Sequence, residues 1–105
     1  MVLPRLARVT YEFDAPLWRW SARTDSWFFV SVPPEISDEI LDVAGPVARG
    51  FGSLRVEVAV GATVWRTSIF PGESGYALPI KKSVRTANDL DDGAVLHVRL
   101  TVLDA

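Results

Sequence analysis

The strongest constraint on this chain is a two-residue alternation of apolar and polar side chains that recurs through its second half. "SLRVEVAV" sets Leu54, Val56, Val58 and Val60 on one face and Arg55 and Glu57 on the other. "AVLHVRLTV" repeats the arrangement, with Leu96, Val98, Leu100 and Val102 opposed to His97, Arg99 and Thr101. Successive side chains of a strand point to opposite faces, so this period marks strands with one face buried and one wet. A third segment, "TVWRTSIF", sends Trp65, Thr67 and Ile69 one way and Val64, Arg66, Ser68 and Phe70 the other. Between the first and third segments, Gly61-Ala62 has the length of a two-residue hairpin turn, with glycine where a positive φ is required.

The first third of the chain also reads as strands. "LARVTYEF" and "PLWRW" are separated by Asp14-Ala15-Pro16, and Pro16 predicts an edge or a bend because proline cannot donate to a ladder. "SWFFVSV" follows a polar turn, "SARTD", and "GYALPI" is a shorter strand introduced by the loop "PGESG". Two segments have helical character. "PPEISDEILDVAG" opens with proline, carries acidic residues early, aligns Ile36, Ile40 and Val43 on one face, and stops at Gly45. "KKSVRTANDL" aligns Ile80, Val84 and Ala87, leaving Lys81, Lys82, Arg85 and Asp89 for solvent, with Arg85 and Asp89 spaced for an i, i+4 pair. "GPVARGFGS" reads as a mobile loop. The expected fold is mainly β: a small, partly open antiparallel β-barrel of about six to seven strands with two short helices, occupying residues 1–105 as a single domain.

Composition narrows the chemistry. The chain has no cysteine and one histidine, which excludes disulfides, thiolate catalysis and multi-histidine metal sites within it. Eleven Lys and Arg against thirteen Asp and Glu give a formal net charge of −2, which argues against nucleic acid as a partner, since such binding depends on many phosphate contacts. No apolar run reaches the roughly 20 residues that span a bilayer, and "MVLPRLARVTYEF" lacks the apolar centre of a signal peptide, so a cytoplasmic protein without membrane partners is expected. No nucleophile-elbow, zinc-protease or phosphate-loop motif is present, so no catalytic residue, metal or cofactor is assigned.

The succession "WFFVSVPPEIS", a valine-rich strand, then "VWRTSIFPGESGYALPIKKSVRTANDLDDGAVLHVRL" resembles the family known as domain of unknown function 1905. Its strongest marks are the "WRTSIFP" strand, the "GYALPI" strand, a "K-x-x-R" helix start and a closing valine-rich strand, and the likeness runs roughly from Tyr11 to Leu103. The resemblance implies a small bacterial barrel similar to double-psi and swapped-hairpin barrels, standing alone or fused to a bacteriocin-protection-type domain. Those barrels lead from a short helix through a Gly-Asp turn into a strand. Here the acidic residue precedes the glycine, as Asp91-Asp92-Gly93. The family brings no activity with it.

The candidate site follows from clustered cations. Lys81, Lys82 and Arg85 crowd the start of a short helix, where cations oppose the helix dipole and are therefore not there for the helix's own benefit. A phosphate or carboxylate held by Lys82 and Arg85, with apolar contact from Trp65 and Tyr76, is the expected arrangement, and solvated cations are the alternative. The expected partner is a small anionic ligand or another protein. A second copy of the chain is included, because the aromatics of "PLWRW" and "SWFFVSV" outnumber what a small interior can take, leaving a surplus to cover a dimer interface or line a pocket. Beside Arg19, Arg23 and Arg66, exposed aromatics would also form a stacking platform. Arg66 is placed to meet Glu57 or Glu73 across the sheet. His97 faces away from the apolar set and would be the base of any unfamiliar hydrolase or lyase. Asp89, Asp91 and Asp92 lack the spacing of a calcium loop and read as turn residues.

Overall fold

A computed structural model describes residues 9–22, 25–48 and 52–104. The strands are β1 (Thr10–Pro16), β2 (Trp18–Ala22), β3 (Asp25–Ser31), β4 (Leu54–Val60), β5 (Thr63–Gly72), β6 (Gly75–Pro79) and β7 (Val95–Val102). Helix α1 (Pro34–Ala44) lies between β3 and β4, and helix α2 (Lys82–Ala87) between β6 and β7. The seven strands form one antiparallel sheet in the order β1-β7-β4-β5-β6-β3-β2, curled into a half-barrel. Pro16 is accommodated because β1 is an end strand of that sheet.

The alternation sorts the faces as expected. Leu54, Val56, Val58 and Val60 of β4, Leu96, Val98, Leu100 and Val102 of β7, and Tyr11, Phe13 and Ala15 of β1 are all buried on the concave side. Each large aliphatic removed from water here contributes about 1.5–3 kcal/mol. The convex face carries Glu12, Asp14, Arg55, His97 and Arg99, all exposed. Gly61 turns the β4–β5 hairpin at φ 58, with Val60 and Thr63 paired on either side of the two-residue turn.

Helix α1 does not bury the face that its isoleucines and valine suggested. Ser37, Ile40 and Ala44 are buried, Ile36 is half-buried, and Val43 is 53% exposed. The cause is a polar clamp. The Ser37 hydroxyl donates to the Val32 carbonyl (3.1 Å) and accepts the Tyr76 amide (3.0 Å), tying the helix to the start of β6 and aiming the 37/40/44 stripe inward. Gly75 belongs to the same device, since a Cβ there would lie 2.6 Å from the Ser37 hydroxyl, at φ 121.

Helix α2 is a short tie. Ile80 and Val84 are buried, whereas Ala87 is exposed. Asp89, at φ 54, ends the helix and brings Leu90 back against the core in place of Ala87. The Asn88 amide donates to Thr63 Oγ1 (3.1 Å) and to the Val84 carbonyl (2.9 Å), fastening the helix end to the β4–β5 hairpin. Gly93, at φ 89, donates to the Leu17 carbonyl (2.8 Å) at the entry to β7, so the displaced acidic residue leaves the turn intact.

The segment read as a mobile loop begins with a 3-10 turn at Gly45–Val47, and its residues 49–51 lie outside the described residues. Of the "SARTD" segment, residues 21–22 end β2 and Asp25 opens β3, while residues 23–24, Arg23 among them, lie outside the described residues, as do residues 1–8. No helix among the described residues is long and apolar enough to cross a membrane.

Candidate functional site

The sheet is split, and a proline is the reason. Val60 pairs with Thr63 across one two-residue turn and Gly72 with Gly75 across another, and the residues that close such turns exchange both main-chain hydrogen bonds. Along β5 the odd-numbered residues from Thr63 to Ile69 therefore bond to β4, while Val64, Arg66, Ser68, Phe70 and Gly72 direct their main-chain groups toward β6. On β6, Gly75 and Ala77 answer Gly72 and Phe70. The next residue in phase is Pro79, which has no N–H to give Ser68. The β5–β6 ladder stops at Phe70 and Ala77, and the β6 chain stays with β3, where the Ile80 amide donates to the Phe28 carbonyl (2.8 Å).

The gap so opened is a cleft of about 430 Å³. One wall is β5, through Trp65, Arg66 and Thr67; the other is formed by Trp27, Phe28, Pro79 and Ile80, with Lys81, Lys82 and Arg85 at its rim. Arg85 does not face solvent toward Asp89. Its guanidinium carbon lies 3.9 Å from the centroid of the Phe28 ring, and its Nε donates to the Ile80 carbonyl (3.2 Å). Stacking and hydrogen bond together hold the charge at the cleft wall. Lys81 and Lys82 are exposed. Arg66 pairs at 3.2 Å with its cross-strand neighbour Glu57 rather than with Glu73; Arg66 is exposed and Glu57 half-buried. Four cations thus line the cleft, and no carboxylate is among its described lining residues. Helix α2 has six residues and no side-chain cap, too short for a dipole of consequence, so side-chain charge alone makes the potential.

The chain matches the family model described as "Domain of unknown function (DUF1905)" over residues 13–100. It belongs to that family. No curated protein matches it.

In this DUF1905 chain, four of the five residues expected at the site, Trp65, Lys81, Lys82 and Arg85, meet at one cleft. Tyr76 does not join them. It is 4% exposed in the core beside the Ser37 clamp, where burial raises its phenol pKa above the ordinary 10.0. Trp27, Phe28 and Arg66 were not anticipated as cleft partners. The signal that could have found them was Pro79, a proline inside a strand pattern, which marks the place where a ladder must end.

Two other groups stand out, one remote from the cleft and one beside it. His97 lies on the exposed convex face, with Nδ1 2.7 Å from Asp14 Oδ1 and Nε2 3.2 Å from Glu12 Oε1, while Arg99 reaches the same Glu12 oxygen at 3.5 Å. The hydrogen bonds to Asp14 and Glu12 raise the imidazole pKa above 6.5, favouring a cation that donates from both nitrogens. A proton held in that way makes a poor general base. On the β2–β3 hairpin, Trp18 stacks on Phe29 with ring centroids 5.0 Å apart, and its indole N–H donates to Ser31 Oγ (3.0 Å). Trp20 and Trp27, directly opposed across that hairpin, remain 50% and 53% exposed.

Proposed function

We propose that this chain is a non-enzymatic binding module whose cleft receives an anionic group. Lys82 and Arg85 hold the anion, with Lys81 and Arg66 adding charge, and Trp27, Phe28 and Trp65 give apolar contact. One observation carries the reading: four cations and three aromatics, and no carboxylate, are the charged and aromatic groups among the cleft's described lining residues, in a chain whose net charge is −2. Arg85 is already stacked and hydrogen-bonded, so less of its side-chain freedom is lost on binding. A bacterial, cytoplasmic setting, expected from the sequence, belongs to the same proposal.

The test is a thermal-shift series with inorganic phosphate, nucleotides, phosphorylated sugars and short single-stranded oligonucleotides. A ligand at ten times its Kd stabilises the folded state by about 1.4 kcal/mol, or about 5–10 °C for a domain of this size. Lys82→Ala/Arg85→Ala should abolish the shift. Because Arg85 also supports Phe28 and Ile80, Lys81→Ala/Lys82→Ala serves as the companion variant, both of its side chains being exposed. Shifts that persist in both variants rule out the cleft.

A second reading rests on Trp20 of the end strand β2 and Trp27 of the adjoining β3, whose exposed faces suit a subunit interface. It requires a dimer in sedimentation equilibrium that Trp20→Arg dissociates; a monomer at high concentration excludes it.

A further inference from the structure

The split sheet also bears on what carries the anion. Resting on the anion-binding reading above, we infer that the occupant is an acidic peptide segment in extended conformation, added as an extra strand to the free edge of β5. Val64, Arg66 and Ser68 direct their main-chain N–H and C=O groups away from β4, and β6 meets β5 only at Phe70–Gly72. Pro79 prevents the ladder from closing over them. An open run of edge donors and acceptors is a template for another strand. At this edge it borders the cleft that holds the cations.

Strand pairing dictates the pattern of the guest. A residue paired with Arg66 projects on the same face as Arg66, so a carboxylate there meets the guanidinium across the pair. The residues on either side fall opposite Trp65 and Thr67 and project toward the apolar Trp65 side, which calls for apolar side chains. The guest therefore alternates acidic and apolar residues. A second copy of this chain is a poor occupant, because β5 against β5 would set Arg66 near Arg66, with no carboxylate among the cleft's described lining residues.

The probe is a capped hexapeptide of alternating valine and glutamate, titrated into the full chain by calorimetry, with inorganic phosphate titrated in parallel. Two further peptides are N-methylated, one at its glutamates and one at its valines. In the pairing above, the glutamate amides face β5 and the valine amides face away. Methylating the glutamates should weaken binding about tenfold or more, the effect of one lost hydrogen bond, and methylating the valines should weaken it less. Ser68→Pro removes an N–H on the β5 edge turned away from β4, and no cation; it should weaken the peptide by a similar factor and leave phosphate unchanged. Lys81→Ala/Lys82→Ala should weaken both. Hydrogen exchange supplies an independent readout should Ser68→Pro fold poorly: the amides of Val64, Arg66 and Ser68 gain protection on peptide binding.

No binding of the hexapeptide at millimolar concentration overturns the inference. So does equal binding of both methylated peptides without protection at those amides; phosphate binding that still depends on Lys81 and Lys82 would then leave the anion site standing. Peptide and phosphate binding that both ignore the lysine variant overturn the two readings together.

Discussion

Ser37→Ala is the most informative single change to the frame that holds the cleft wall. The serine is 4% exposed, and its hydroxyl satisfies two main-chain groups, the Val32 carbonyl and the Tyr76 amide. Alanine keeps the Cβ and opens little space, so the cost is polar. A buried N–H deprived of its acceptor costs about 1–3 kcal/mol, and the carbonyl, with two lone pairs, loses less. The expected destabilisation is about 2–3 kcal/mol, a large part of the 5–15 kcal/mol typical of a domain. That corresponds to a fall of roughly 10–20 °C in Tm. Urea unfolding followed by tryptophan fluorescence reads it as a lower midpoint at unchanged slope. The exposed neighbour Asp38→Ala is the control and should stay within about 0.5 kcal/mol of the parent. A Ser37→Ala midpoint equal to that of Asp38→Ala would refute the clamp.

Two more predictions concern the rest of the frame. Gly61→Ala forces a Cβ to within 2.5 Å of Asn88 Oδ1 at φ 58, straining the turn and disturbing the tie to Thr63; it should cost about 1–3 kcal/mol in urea unfolding, and a neutral result would show that the tie is slack. The raised His97 pKa makes its contribution to stability full below the unfolded value near 6.5 and lost as pH rises through the folded value. The advantage of the parent over His97→Gln, read from urea midpoints at a series of pH values, should therefore shrink with rising pH and with added salt; an advantage that grows with pH contradicts the double carboxylate contact.

The sequence by itself determined the strands and their faces. Alternation at residues 54–60, 63–70 and 95–102 survives because a half-barrel needs one dry face, and a slip of one residue would turn every valine of β4 outward. Gly61 and Gly93 were legible for the same local reason, since positive φ at a turn is a property of the residue itself. The cationic cluster was legible as composition. Only the tertiary structure decided what the cluster faces. Whether α1 buries Val43 or Ser37 depends on two main-chain groups in β3–α1 and β6 that helical periodicity cannot register. Tyr76 and Trp65 are both buried in the core, yet only Trp65 also borders the cleft, because Pro79 ends the ladder on one side of β6 while β3 continues it on the other. Arg85 meets Phe28 across more than fifty residues of chain for the same reason. Local sequence sets where a strand must stop pairing, and the packing of the whole sheet sets which side chains meet in the opening.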